Sequence, residues 1–352
     1  MQGAYMAQLD RLRGRGLVEI VVAADHHESR RALVQDDFRI PRFSTDARDV
    51  VDADDVDLVL ILTSIPAHAE LAEAALENGK HVLVEKPMAT RLDQAARLVE
   101  LAAHGPGLLV CAPHVILSPT YQTMGWRLRQ GDIGRVHLAR ARYGWAGPTW
   151  NDWFYTNGGG ALFDMAMYSI TSLTGLLGPV RRVVALSGVA IAERQVEGAA
   201  LSVEAEDNAQ LLLDFGSATF AVVTTGFTMQ QYQSPALELY GSDGTLQMLG
   251  DDWAPQGLEQ WRNDVHAWRS YKDLDPAWAW TDGLRHLVDC IRTGKRPVIQ
   301  PAHAYHALEV VLKARHASAT GLAQNVLSEF APLAFDTPHI DEPVHLMHDL
   351  RR

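Results

Sequence analysis

Two hydrophobic periodicities divide this chain. In "MQGAYMAQLDRLRGRG" the residues Tyr5, Leu9 and Leu12 recur at helical spacing, Arg11, Arg13 and Arg15 lie toward the end, and Gly14 and Gly16 form the stop. From Val18, "VEIVVAAD" is a β-branched strand ending in Asp25. "ESRRALVQDDF" predicts a helix, and "DARDVVDADDVDLVLILTS" a helix followed by a strongly apolar strand that ends near Thr63. "PAHAELAEAALENGK" is the next helix, with Gly79 at its C-cap, and "HVLVEKP" the next strand. "TRLDQAARLVELAAHG" is a helix with Thr90 as N-cap and Gly105 as stop, and "LLVCAP" closes the series. The strands are continuously apolar and alternate with helices through short loops, which predicts a doubly wound parallel sheet covered on both faces.

After residue 113 the pattern changes. "SPTYQTMGWRLRQGD" reads as a helix capped by Ser118, with Pro119 at its first position. Long strand-like stretches follow: "RVHLARARYG", "VRRVVALSGVAIAERQ", "NAQLLLDFGSATFAVVTTGF" and "ALELYGSDGTLQML". "AQLLLDF" pairs with "ATFAVVTT" across Gly216 and Ser217 as a hairpin, so this sheet is antiparallel. Among these strands lies "GGGALFDMAMYSITSLTGLLG". Gly158 to Gly160 allow a close backbone approach, and Asp164 and Tyr168, four apart, share one helix face.

Composition narrows the function. The 352 residues are 47% hydrophobic and 21% charged, enough for two domains with their own cores. A net charge of -12 without a basic patch argues against a nucleic-acid partner. No apolar run approaches the roughly 20 residues needed to cross a bilayer, and no leader pattern opens the sequence, so a cytoplasmic protein is expected. The two cysteines, Cys111 and Cys290, carry no metal or nucleophile pattern, and no metal is expected from them or from the 15 histidines. His26 and His27, and His339, His345 and His348 in the tail, read as solvated or packing residues.

Asp25 ends a strand about twenty residues after the opening helix begins, where a dinucleotide-binding βαβ unit places the acid that accepts from the adenosine ribose hydroxyls. An acid there disfavours a 2'-phosphate and so favours NAD over NADP. The competing reading is that Asp25 only caps its loop.

"GKHVLVEKPMA", residues 79 to 89, within the longer "LTSIPAHAELAEAALENGKHVLVEKPMA", resembles the Gfo/Idh/MocA family of NAD(P)-dependent sugar and polyol oxidoreductases, whose strand-end Glu-Lys-Pro motif matches Glu85, Lys86 and Pro87. "QGDIGRV", "GSDGTL", "DCIRTGKRP" and "HALEVV" extend the resemblance over nearly the whole chain. It implies an α/β protein: a Rossmann-like doubly wound parallel sheet over 1–113, and over 114–352 an α/β domain with a large open, mostly antiparallel sheet. The exposed face of that sheet implies a homodimer or homotetramer. The implied reaction passes a hydride between a nicotinamide cofactor and a sugar, inositol-like polyol or related hydroxy compound. Implied cofactor contacts are Gly3, Asp25, Thr63, Ser64, Ile65, His68, Glu85 and Lys86, with Lys86 also bonding the reacting hydroxyl and helping to move its proton. The family's unit reads strand, G-x-G-x-x-G, helix. Gly3 matches the third glycine, so a strand and two glycines, roughly ten residues, would be missing before Met1.

The sequence departs from the family at Tyr168, where most members carry an acid-base histidine paired with the aspartate matched by Asp164. Three readings stand: Tyr168 acts as proton donor, its ordinary pKa near ~10 lowered by a neighbouring ammonium; Lys86 does the acid-base work while Asp164 and Tyr168 orient substrate; or catalysis is lost. His114 and the aromatics of "WAGPTWNDWFYTN", Trp153 and Tyr155 among them, are candidate substrate contacts, with packing as the competing account. For the whole protein, the alternatives are an NAD-retaining glycoside hydrolase or eliminase that oxidises its sugar transiently, and a non-catalytic cofactor-binding protein.

Overall fold

The computed structural model describes residues 2–251, 253–272, 278–335 and 345–348. In chain order its elements are α1 (Gln2–Gly14), β1 (Val22–Ala24), β2 (Arg42–Ser44), α2 (Arg48–Val51), β3 (Leu58–Ile61), α3 (Ile65–Glu77), β4 (His81–Val84), α4 (Leu92–His104), β5 (Leu109–Cys111), α5 (Pro119–Arg129), β6 (Val136–Gly144), α6 (Met167–Leu177), β7 (Arg182–Gly188), β8 (Glu193–Val196), β9 (Ala199–Ser202), β10 (Asn208–Asp214), β11 (Phe220–Gly226), β12 (Leu237–Gly241), β13 (Gly244–Gly250), β14 (Pro255–Arg262), β15 (Ala267–Lys272), α7 (Gly283–Thr293), α8 (Pro301–Thr320), β16 (Gln324–Asn325) and β17 (His345–His348). Of the tail histidines, His339 lies outside the described residues. Two compact units emerge: Met1–His114 with Thr281–Tyr305, and Val115–Trp280 with His306–Arg352.

In the first unit β3, β4 and β5 form a parallel sheet in that order, and β1 and β2 a second parallel pair. Among the described residues no ladder joins β1 to β3. The consequence is visible in burial: Val82, Leu83 and Val84 of central β4 are fully buried, whereas every residue of β1 is half-exposed. Helix α3 begins at Ser64, in extended backbone, with Pro66 just inside, and ends through Gly79, whose φ of +74° only glycine adopts freely. The cap of α4 is Arg91 rather than Thr90; Thr90 instead donates to Gln94 Oε1 at 3.3 Å. Helix α7, inside the 114–352 domain that the resemblance implies, packs against α1, β4 and β5, burying Leu284, Leu287, Val288 and Cys290.

Between β1 and β3 the predicted helices shrink. "ESRRALVQDDF" becomes a 3₁₀ turn at Glu28–Arg30 and a π turn at Leu33–Asp37, and α2 is a single turn started by Asp46 Oδ1 accepting from Arg48 N. Each piece buries at most one side chain, too little packing to hold a longer helix.

The second unit is built on a ten-stranded sheet in the order β16-β7-β10-β11-β6-β12-β13-β14-β15-β17. Every pairing is antiparallel except β11 with β6. The expected hairpin forms, with Asp214 opposite Phe220, and its turn places Gly216, Ser217 and Ala218 at positive φ. Strands β7, β10 and β11 alternate buried and exposed, so one face of the sheet is covered, with α6 and the turn before it packed on β11 and β6. The expected run "VRRVVALSGVAIAERQ" splits into β7 and β8, and β8 pairs with β9 as a separate hairpin. No helix among the described residues is long and apolar enough to cross a membrane.

Candidate active site

In the first unit the candidate chemistry sits where the parallel strands end. Asp25 follows β1, its backbone N–H bonded to Ser44 O at 3.1 Å and its Oδ1 accepting from His27 N at 2.9 Å; a third of its side chain stays exposed. Thus Asp25 does cap its loop while keeping a carboxylate oxygen toward solvent. His26 and His27 beside it are exposed, and the ligand atoms of the three residues lie within 4.8 Å of one another. Gly3 stands in the first turn of α1 with open space where a Cβ would be. Thr63 and Ser64 are exposed at the start of α3, and the Ser64 side chain makes no capping bond. Ile65, the next residue, is buried and anchors the turn. A partly exposed acid at a strand end, an open glycine at a helix start and an uncapped helix start fit a dinucleotide's ribose and phosphates.

The Glu-Lys-Pro turn after β4 is held by side chains from α1 and α3 and by a bond within the turn. Tyr5 of α1 donates its hydroxyl to Glu85 Oε1 at 2.8 Å, with both side chains 1% exposed. Glu85 Oε2 accepts from Lys86 N at 3.1 Å. His68 of α3 places Nδ1 2.8 Å from Pro87 O and Nε2 3.1 Å from Thr63 O; a neutral ring carries one N–H and donates to one of these two carbonyls. Burial pushes the His68 pKa down. Lys86 itself is half-buried, and its peptide bond to Pro87 is cis. His114 is 1% exposed against α7, where a Cβ on Gly283 would collide with the imidazole ring; the ring's packing, rather than any open surface, defines its surroundings. Complete burial raises the Cys111 thiol pKa far above its usual range, consistent with an inert side chain.

In the second unit Asp164 lies in a π turn, Leu162–Ala166, that runs directly into α6, which begins one residue before Tyr168. The local sequence reads as plain helix; the widened turn is a feature that recurs at functional sites. Asp164 and Tyr168 are 9% and 5% exposed. Of the preceding glycines, Gly158 has open space where a Cβ would be, and Gly159 and Gly160 serve a tight approach to protein. A Cβ on Gly159 would strike Trp153 O, and Gly160, at φ +97°, lies against Glu206, which accepts from Leu162 N and pairs with Arg315 at 2.7 Å.

The aromatic candidates separate. Tyr155 is 1% exposed, donates to Pro148 O at 2.7 Å and packs edge-on against Phe227, which makes it a core residue. Trp153 stacks on Phe154 at 3.8 Å. Tyr168 has other aromatic neighbours, Tyr143 at 5.0 Å and Trp253 at 5.9 Å, and Trp253 in turn lies 4.4 Å from Trp280. Trp253 and Trp280 were not singled out by sequence reasoning, since neither is near Tyr168 in the chain and neither belongs to a motif.

Fold and strand-end chemistry together define a class: a dinucleotide-binding parallel-sheet domain joined to an α/β domain with a large mixed sheet. Sequence comparison makes the class specific. Residues 2–110 match the oxidoreductase family with an NAD-binding Rossmann fold, and residues 121–247 match the GFO/IDH/MocA C-terminal domain. The chain belongs to the GFO/IDH/MocA family of oxidoreductases, with NAD as its cofactor. It is 31% identical over 208 residues to an uncharacterised oxidoreductase of Synechocystis, a match spanning 56% of each chain. It is 25% identical over 317 residues to the 1,5-anhydro-D-fructose reductase of Ensifer adhaerens, spanning 88% of this chain and 91% of the relative. It shares the fold of levoglucosan dehydrogenase in complex with NADH and levoglucosan, with a TM-score of 0.78 and 20% identity over 87% of this chain and 90% of that one.

Proposed function

We propose that this protein oxidises a secondary hydroxyl of a sugar or polyol, or runs the reverse reduction, with Lys86 handling the proton. A bound nicotinamide would supply the hydride acceptor for the carbinol carbon. Lys86 accepts the hydrogen bond of the hydroxyl O–H, takes that proton as the hydride leaves and passes it to solvent, leaving a carbonyl, so that the alcohol loses two electrons as hydride and one proton. Asp164 and Tyr168 bind and orient substrate hydroxyls. Asp25 accepts from the adenosine ribose, and Gly3, Thr63 and Ser64 line the cofactor's path. The observation that carries this reading is the Lys86 turn itself: a half-buried lysine at a strand end, fixed through Glu85 by Tyr5 and through Pro87 by His68. The 1,5-anhydro-D-fructose reductase among its relatives and the levoglucosan dehydrogenase that shares its fold support the substrate class. In the test, Lys86→Ala abolishes NADH formation from a sugar panel while calorimetry still detects NADH binding; near-normal turnover by the variant would remove Lys86 from the mechanism.

We further propose a homodimer or homotetramer built on the open face of the large sheet. Val184, Leu212 and Val222 form one cross-strand row there, Phe220 and Leu138 the next, and Leu186 is 74% exposed beside them. Such a contiguous apolar face is unusual on a monomer. Light scattering tests it: Leu212→Glu with Leu186→Glu shifts the mass to one chain, and an unaltered chain that already runs as a monomer would refute the assembly.

A further inference from the structure

Trp253 sits in the tight loop between β13 and β14. Asp251 Oδ1 accepts from both Trp253 N, at 2.9 Å, and Ala254 N, at 2.7 Å, so a single carboxylate pins the loop in place. The indole is 38% exposed, yet it is not loose: it lies 4.4 Å from the Trp280 ring on one side and 5.9 Å from the Tyr168 ring on another. Tyr168 is backed in turn by Tyr143, edge-on at 5.0 Å. A large apolar ring that keeps over a third of its surface open, in a loop fixed by two hydrogen bonds, is preorganised to receive something flat. Trp145 and Trp150 also stack on one another, and the Trp153–Phe154 pair leads into the buried Phe227; the contact with Tyr168 is what singles out Trp253.

We propose that Trp253, buttressed by Trp280, is the platform on which the substrate ring stacks, and that it makes this enzyme selective for cyclic sugars over open-chain polyols. The inference rests on the sugar-oxidoreductase reading above and sharpens it. A pyranose or other saturated ring presents a face of C–H bonds that complements the π surface of an indole, while its hydroxyls point outward toward polar groups such as Asp164 and the Tyr168 hydroxyl. A flexible open-chain polyol offers no such face and must be ordered at an entropic cost to mimic one. Trp253 is therefore a specificity-determining residue with no part in proton or hydride movement.

The test compares unaltered protein, Trp253→Ala and Trp253→Phe, each with NAD, on cyclic substrates (levoglucosan, D-glucose, myo-inositol) and acyclic ones (glycerol, D-sorbitol). The unaltered protein is expected to favour the rings. Trp253→Ala should raise KM for ring substrates roughly tenfold, the loss expected for one ring-stacking contact, with kcat changed less than about threefold; Trp253→Phe should restore most of the difference. KM for the acyclic compounds should stay within about threefold in all variants. Ring-substrate KM values untouched by Trp253→Ala, an equal loss on rings and open chains, or a dominant fall in kcat would each overturn the inference and leave the sugar-oxidoreductase reading standing. Failure of the unaltered chain to form NADH from any of these compounds would overturn that reading, and this inference with it.

Discussion

The Tyr5 hydroxyl of the opening helix donates to the buried carboxylate of Glu85, which in turn accepts from the backbone of Lys86. Glu85 therefore acts as a structural strut for the lysine turn. Its resemblance-based place near the nicotinamide is a separate matter. Tyr5→Phe keeps the packing and removes one donor to a buried oxygen. A loss of about 1–3 kcal/mol in urea unfolding is expected, against about 1 kcal/mol or less for an exposed substitution such as Glu19→Ala.

His306 predicts acid sensitivity. Its Nε2 accepts from Val180 N at 3.0 Å, which puts the proton on Nδ1, facing Ser328 O at 3.0 Å and Ser328 Oγ at 2.9 Å. A second proton would sit on Nε2 against the Val180 N–H. Burial accordingly pushes the pKa down from 6.5 to about 4. Between those values the unfolded chain binds a proton that the folded chain refuses. Stability is therefore intact above the unfolded value and falls as pH drops through the window, by up to about 3 kcal/mol from this group. Denaturation midpoints measured across the window should flatten in His306→Gln; an unchanged pH slope would acquit this residue.

Asp25 should set cofactor choice. Replacing it with serine removes the acceptor for the ribose hydroxyls and the charge that opposes a 2'-phosphate, so the preference for NADH over NADPH should shrink about tenfold or more. Parallel calorimetric titrations with the two reduced cofactors read the ratio directly. A ratio unmoved by the substitution would leave Asp25 as the loop cap that its bond to His27 N already makes it.

Legibility followed how local the determining physics is. The β10–β11 hairpin was readable because its glycine turn and alternating strands are contiguous, and the β3-α3-β4 run because Ser64, Pro66 and Gly79 mark both ends of α3 within the sequence itself. The π turn at Asp164 was not readable, since its residues have an ordinary helical pattern and it forms where Glu206, from a distant segment, meets Leu162 N. Nor could periodicity show where α7 packs. Its apolar stripe says that one face is buried and leaves open whether β4 and β5 are the partners. Tyr155 illustrates the reverse error: an aromatic beside candidate hydroxyl-reading residues looked like a ligand contact, and long-range packing against Phe227 makes it core.

Tyr168, standing where most of the family carries histidine, makes the assignment of the proton the central claim. Initial rates of NADH formation on the best sugar of a panel, compared for Lys86→Ala and Tyr168→Phe, test it most directly. With Lys86 as the proton-handling group, Lys86→Ala should lower kcat by about 10²–10⁴ and Tyr168→Phe by less than about tenfold, with NADH binding still detected by calorimetry in both. A collapse of kcat in Tyr168→Phe alongside a working Lys86→Ala would contradict the account and give the proton to the tyrosine.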